Sequence, residues 1–167
     1  ESHRSARSTL MPQLTPGVLF KAVAEGDAVT VEQWLAATLA GPGVGATGVL
    51  PLQLDKSTPF VVAARHGQLE VLRVLQAFHP DVSSGLGAAR NDGVTPLLAA
   101  CSYGHVAAVQ WVWQRLPEAA RRARTHTDRG ALEMGVSSGS APLVEWLLRH
   151  VAETDVCRRR DADWRRA

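Results

Sequence analysis

Residues Ser57–Leu75 read S-T-P-F-V-V-A-A-R-H-G-Q-L-E-V-L-R-V-L, and Val94–Val112 read V-T-P-L-L-A-A-C-S-Y-G-H-V-A-A-V-Q-W-V. Thr58 and Thr95 lie 37 residues apart, as do Gly67 and Gly104. Each copy carries the signals of two short helices. Thr58 is placed to cap a helix, its hydroxyl accepting a bond from an otherwise orphan amide. Pro59 follows at the first helical position, where the missing N–H is not needed. Ala63 and Ala64 give that helix a low-relief face on which another helix can approach closely. Gly67 is placed to end it in a left-handed conformation. Leu69, Leu72 and Leu75 then recur at helical spacing and predict a second helix. Two short antiparallel helices cannot bury both apolar faces alone. Stacked copies can, so the repeat predicts an all-α solenoid.

Two weaker copies flank the clear ones. In Pro16–Leu39, Gly26 falls on Gly67, and Leu19, Ala22 and Val23 fall on Phe60, Ala63 and Ala64. Thr30-Val31-Glu32-Gln33 reads as a capping box opening the second helix of that copy. In Arg129–His150, Gly139 falls on Gly104, Leu132 on Leu97, Val144 on Val109 and Leu147 on Val112. Ser140 is placed to cap its second helix, with Pro142 in the first turn. At the register of Thr58-Pro59 the flanking copies carry Gly17-Val18 and Gly130-Ala131, so the Thr-Pro corner is missing there, as expected of terminal copies with one side in water. Between copies, Asn91-Asp92-Gly93 predicts a tight turn. Pro117 opens a helix-prone insertion, P-E-A-A-R-R-A-R.

The pattern resembles the ankyrin repeat. Thr58, Pro59, Phe60, Ala63, Ala64, Gly67, Leu69, Val71, Leu72 and Leu75 stand on it, as do Thr95, Pro96, Leu97, Ala99, Ala100, Gly104, His105, Val106, Val109 and Val112. The family's His after T-P-L is Val61 and Leu98 here, so these corners are expected to be held by packing. The resemblance implies an ankyrin-repeat solenoid of about four helix-turn-helix repeats with hairpin-like finger loops, at about 16–39, 57–78, 93–113 and 129–150. Residues 16–150 are read as the repeat domain. Residues 1–15 are read as a flexible basic tail, with a linker or the end of a transit segment as alternatives. Residues 151–167 are read as a charged, Arg-rich tail.

Composition bounds the rest. The chain has 167 residues, 46% of them hydrophobic, enough for a sizeable core. No apolar run approaches membrane-spanning length, and no secretory signal is visible. Cys101 and Cys157 are too few for a disulfide framework. An intracellular, cytoplasmic setting is the expectation, with an organelle as the alternative. Residues 1–114 carry 7 Lys/Arg against 8 Asp/Glu, a balance of −1; residues 115–167 carry 11 against 8, a balance of +3.

Chemistry is hard to place on this pattern. Gly135-Val136-Ser137-Ser138-Gly139 satisfies G-x-S-x-G, but a nucleophile elbow needs a strand before the turn, and a helix is expected there. Gly41-x-Gly43 lacks the strand and helix that a phosphate-binding turn requires. The six histidines do not pair with Cys, Asp or His at ligand spacing on a common helix face. The expectation is therefore no enzyme, no metal, no cofactor and no small-molecule substrate.

The resemblance implies a working surface on the concave face, built from the finger tips and the exposed ends of the first helices. Carried over by position, it comprises Arg65, His66, Ser102, Tyr103, Ser137 and Ser138, with Asp55, Lys56, Arg90, Asn91, Asp92 and Val94 on the fingers. Tyr103 is central and flanked by Arg65; an amphipathic ring with few rotors suits an interface anchor. Trp111 and Trp146 share a slot in successive repeats, which points to packing, with an exposed anchor as the alternative for Trp111. Trp164, alone among arginines, is a candidate docking anchor. The expected function is a protein-interaction scaffold, a subunit or adaptor of a larger assembly. The alternative is an accessory protein of a ribonucleoprotein, with Arg121, Arg122, Arg124, Arg158, Arg159, Arg160, Arg165 and Arg166 on RNA phosphates.

Overall fold

A computed structural model describes residues 15–40, 50–53, 56–79 and 85–151. Their regular structure is helical throughout. The helices are α1 (Pro16–Glu25), α2 (Ala28–Ala40), α3 (Pro59–Arg65), α4 (Leu69–Phe78), α5 (Pro96–Ser102), α6 (Val106–Arg115), α7 (Glu118–Arg121), α8 (Ala131–Ser137) and α9 (Ala141–Val151). They pair as α1/α2, α3/α4, α5/α6 and α8/α9, and α7 is the predicted Pro117 insertion.

The inner helices α1, α3, α5 and α8 pack side by side in chain order. Small side chains permit this. Ala63, Ala64 and Ala100 are fully buried between neighbouring helices, and Phe60, Leu97 and Leu98 fill the space beside them. Val61 and Leu98, which replace the family's corner His, are both buried. The Thr-Pro corners form as predicted. Thr58 Oγ1 accepts from Val61 N at 3.3 Å and Thr95 Oγ1 from Leu98 N at 3.4 Å. Outer helices α2, α4 and α6 also follow one another, and the core continues through Leu72, Leu75, Val109 and Val112. Leu69 is half-buried at its edge.

The α2 start differs from the sequence reading. That helix begins at Ala28, and its cap is Asp27 rather than Thr30. Asp27 Oδ1 accepts from Thr30 N at 3.1 Å, and Thr30 Oγ1 donates to Asp27 Oδ2 at 2.5 Å. A carboxylate one turn earlier caps the Thr30 amide and engages the Thr30 hydroxyl, so Thr30 lies inside the helix rather than at its start. These bonds hold the Asp27 carboxyl below its ordinary range, the Thr30 hydroxyl being the larger cause.

At the fourth copy, Gly130 replaces the Thr-Pro corner. Glu133 reaches back to accept from Gly130 N at 3.0 Å, and Arg124 holds its other oxygen at 3.5 Å.

Three fingers repeat one geometry. Arg90 N donates to Val94 O, and Gly93 N to Arg90 O, both at 3.0 Å. The same pair of bonds joins Gln53, Lys56 and Ser57, and again Thr125, Asp128 and Arg129. Lys56, Gly93 and Asp128 share the left-handed backbone at φ 59°, 82° and 59°. This is a turn followed by a left-handed residue, as in three-residue hairpin loops. Gly93 has a second reason to be glycine. A Cβ there would lie 3.0 Å from His126 N, on the next finger, which donates to Asp92 O at 2.9 Å.

Candidate functional site

At the fourth repeat a finger reaches the C-terminal end of its inner helix, where Arg129 donates to Ser137, so that finger and that helix end share one face. The order of α3, α5 and α8 fixes which side chains meet there. Arg65 ends α3, and its guanidinium carbon stands 5.2 Å from the centroid of the Tyr103 ring. Tyr103 follows α5 and is 52% exposed. The His105 ring lies nearly parallel to it, 8° off, at 6.5 Å between centroids. A guanidinium over a phenol ring gains about 0.5–1 kcal/mol at such an exposed site and holds both groups in a defined pose.

His105 also joins the repeats. Its Nε2 lies 2.9 Å from the backbone oxygen of Arg65, and its ring covers Gly67. One repeat earlier, Gln68 does the same work, Nε2 donating to Ala24 O at 3.2 Å beside Gly26. His105 stands on the repeat pattern in the sequence, whereas Gln68 was not singled out there. Its signal was positional, the residue after the turn glycine, rather than chemical.

The other implied residues are placed as follows. His66 is exposed beside Arg65. On the second finger Arg90 pairs with Asp92 at 3.4 Å, Asp92 also accepts from Val94 N, and Asn91 is exposed at the tip. Val94 is half-buried and packs against the core. Ser102 and Ser138 are half-buried, donating to Ala99 O at 2.9 Å and Gly135 O at 2.6 Å. Ser137 is exposed, donates to Glu133 O at 3.0 Å and accepts from Arg129. Arg129 and His126, both exposed, belong to this face and were not singled out for it by the sequence. Trp164, Arg158, Arg159, Arg160, Arg165, Arg166 and Asp55 lie outside the described residues.

The central basic stretch is largely engaged within the chain. Arg122 pairs with Glu118, and Arg124 with Asp128 at 3.1 Å and Glu133 at 3.5 Å. Arg121 stands 5.4 Å from the Trp113 ring centroid, and Arg115 stands 4.0 Å from that of Trp111. Trp111 is only 9% exposed, so the exposed-anchor alternative fails. Arg115 lies across the ring and donates to Trp111 O, closing off its outer side. Trp113 meets Trp146 edge to face at 5.7 Å, across the α6/α9 gap.

Among the described residues, Ser137 meets no catalytic partner on this face. Ser137 is helical, and its hydroxyl is bonded to a carbonyl and to a guanidinium, neither of which is a base. Among the described residues no group of three or more His, Cys, Asp or Glu could hold a metal ion. Burial pushes the Cys101 thiol up to about 12, which marks it as structural rather than nucleophilic. Among the described residues, no helix is long and apolar enough to cross a membrane.

The family model for ankyrin repeats in three copies matches residues 19–115 and, in a second register, residues 60–160. The chain belongs to the ankyrin-repeat family. Its capped Thr-Pro corners, left-handed turn glycines and bonded fingers are thus the parts of an ankyrin array. No curated protein matches the chain. Ankyrin repeats are generally protein–protein interaction modules, and proteins built from them are typically non-catalytic scaffolds.

Proposed function

We propose that this ankyrin array binds a protein partner through the face formed by its fingers and inner-helix ends, as a non-catalytic subunit or adaptor of a larger assembly. The observation that carries the reading is the exposed Tyr103 ring at the centre of that face, fixed between Arg65 and His105. A rigid aromatic with a polar tip loses little entropy on being covered, which suits a hot-spot position. His66 beside Arg65, and Arg90, Asn91 and Asp92 on the second finger, supply polar groups suited to an interface rim. Ser102, Ser137, Ser138 and Val94 contribute shape more than new bonds, their polar groups being engaged or their side chains half-buried. Trp164 remains a candidate second anchor.

The ribonucleoprotein reading is the weaker one. Arg122 and Arg124 are neutralised within the chain, so it rests on Arg121 and on Arg158, Arg159, Arg160, Arg165 and Arg166. A pull-down with the full chain as bait, with and without nuclease and at low and high salt, separates the two. A protein partner retained under nuclease and salt by wild type, and lost with Tyr103→Ala, supports the docking face. Recovery that disappears with nuclease overturns it in favour of RNA.

A further inference from the structure

Charge is unevenly satisfied on this molecule. From residue 85 to 151 the carboxylates are Asp92, Glu118, Asp128, Glu133 and Glu145, and each lies in an ion pair with an arginine of its own chain. Arg65 and Arg129 are different. Both are exposed on the finger-side face, and among the described residues neither meets a carboxylate. Arg65 rests on the Tyr103 ring and Arg129 on the Ser137 hydroxyl. A guanidinium stacked on a ring has its face covered but keeps its N–H donors pointing sideways, in the fork that matches a carboxylate.

Resting on the docking reading above, we infer that the partner segment is an extended acidic peptide. Two of its carboxylates are held by Arg65 and Arg129, with an apolar residue between them over Tyr103. Arg65 belongs to the second repeat and Arg129 to the fourth. Packed helices sit about 8–10 Å apart, so two steps span roughly 16–20 Å. A strand rises about 3.3 Å per residue, which sets the two acids about five or six residues apart. Between the arginines, Ser102 and Ser138 are bonded within their own repeats. That middle stretch therefore offers ring surface rather than hydrogen bonds, and favours an apolar side chain.

A phosphate backbone fits this face less well. It carries a charge at every nucleotide, while the finger-side cations Arg90 and Arg124 are already paired with Asp92 and Asp128. A peptide places its negative charges only where the cations are.

The test is a random twelve-residue phage library selected against the full chain. Enriched peptides are fluorescein-labelled and titrated by anisotropy against wild type, Arg65→Gln, Arg129→Gln, Arg149→Gln and Tyr103→Ala, each checked for its helical melt. A twelve-nucleotide oligouridylate is titrated alongside. The expected peptides carry two acids five or six apart around an apolar residue. Arg65→Gln and Arg129→Gln each weaken binding tenfold or more, and Arg149→Gln on outer helix α9 leaves it unchanged. Peptides that need Tyr103 but are indifferent to both glutamine changes overturn the acidic chemistry and leave the docking face standing. Peptides indifferent to Tyr103→Ala overturn the docking reading itself. Tighter binding of the oligouridylate, lost in Arg129→Gln, assigns these cations to phosphate and overturns the proposal.

Discussion

His105 Nε2 lies 2.9 Å from the backbone oxygen of Arg65, 40 residues earlier in the chain, and closes its ring over Gly67. That contact ties consecutive repeats together on the finger-side face, next to Tyr103. A Cβ at Gly67 would lie 2.6 Å from His105 Nδ1, at a backbone φ of 69°. Gly67→Ala is therefore expected to destabilise by roughly 2–3 kcal/mol, about 1–2 from the left-handed backbone and about 1 from the displaced hydrogen bond. Gly139 has a similar φ of 71° with nothing within 4 Å. Gly139→Ala should show only the backbone part, about 1–2 kcal/mol. Urea unfolding of both variants checks the difference; equal losses would mean that the His105 clip contributes nothing.

The Thr-Pro corners make a second prediction. Thr58→Ala and Thr95→Ala each remove a side-chain cap and should each lower unfolding free energy by about 1 kcal/mol. Thr95→Ser, which keeps the acceptor, should recover most of that loss. Chemical denaturation with matched slopes measures it.

Much of this was legible because it depends on residue types that few other residues can replace. Thr58-Pro59, Thr95-Pro96 and the turn glycines each need a specific backbone chemistry, so they announce their helices. The start of α2 was misread because two cap candidates stand one turn apart, and Asp27 caps the Thr30 amide and engages its hydroxyl, which starts the helix three residues earlier. The Gln68 clip went unseen because position rather than residue type defines it. The fate of Trp111 turned on Arg115 lying across its ring, which a repeat period does not encode. On the candidate site, Arg65 beside Tyr103 followed from repeat register. Arg129 did not, since its reach to Ser137 depends on a side-chain path.

Cys101 yields a pH-dependent prediction. Burial raises its thiol from 9.0 to about 12. The folded chain therefore disfavours the thiolate, and its contribution to stability is complete below pH 9 and is lost as pH rises from about 9 towards 12. In a Cys157→Ser background, Cys101 should not react with an aromatic disulfide reagent at pH 7.5 until denaturant is added. Reaction at the rate of a free thiol in the folded chain would contradict its burial.

Tyr103 should separate binding from stability. Its ring is half exposed, so Tyr103→Ala is expected to change unfolding free energy by less than about 1 kcal/mol, the scale of its contact with Arg65. Partner binding should fall tenfold or more. Thermal melts and quantitative pull-downs on the same preparations measure both.

The docking face is tested most directly by site-specific photo-crosslinking. A benzophenone amino acid is placed at position 103, on the finger-side face, or at position 29, 63% exposed on α2. Each chain is irradiated in extract with excess untagged wild-type or Tyr103→Ala chain as competitor. The account predicts one protein adduct from position 103, resistant to nuclease, displaced by wild type and not by Tyr103→Ala, with no such adduct from position 29. Equal adducts from both positions, or an adduct at 103 that nuclease removes, would contradict it.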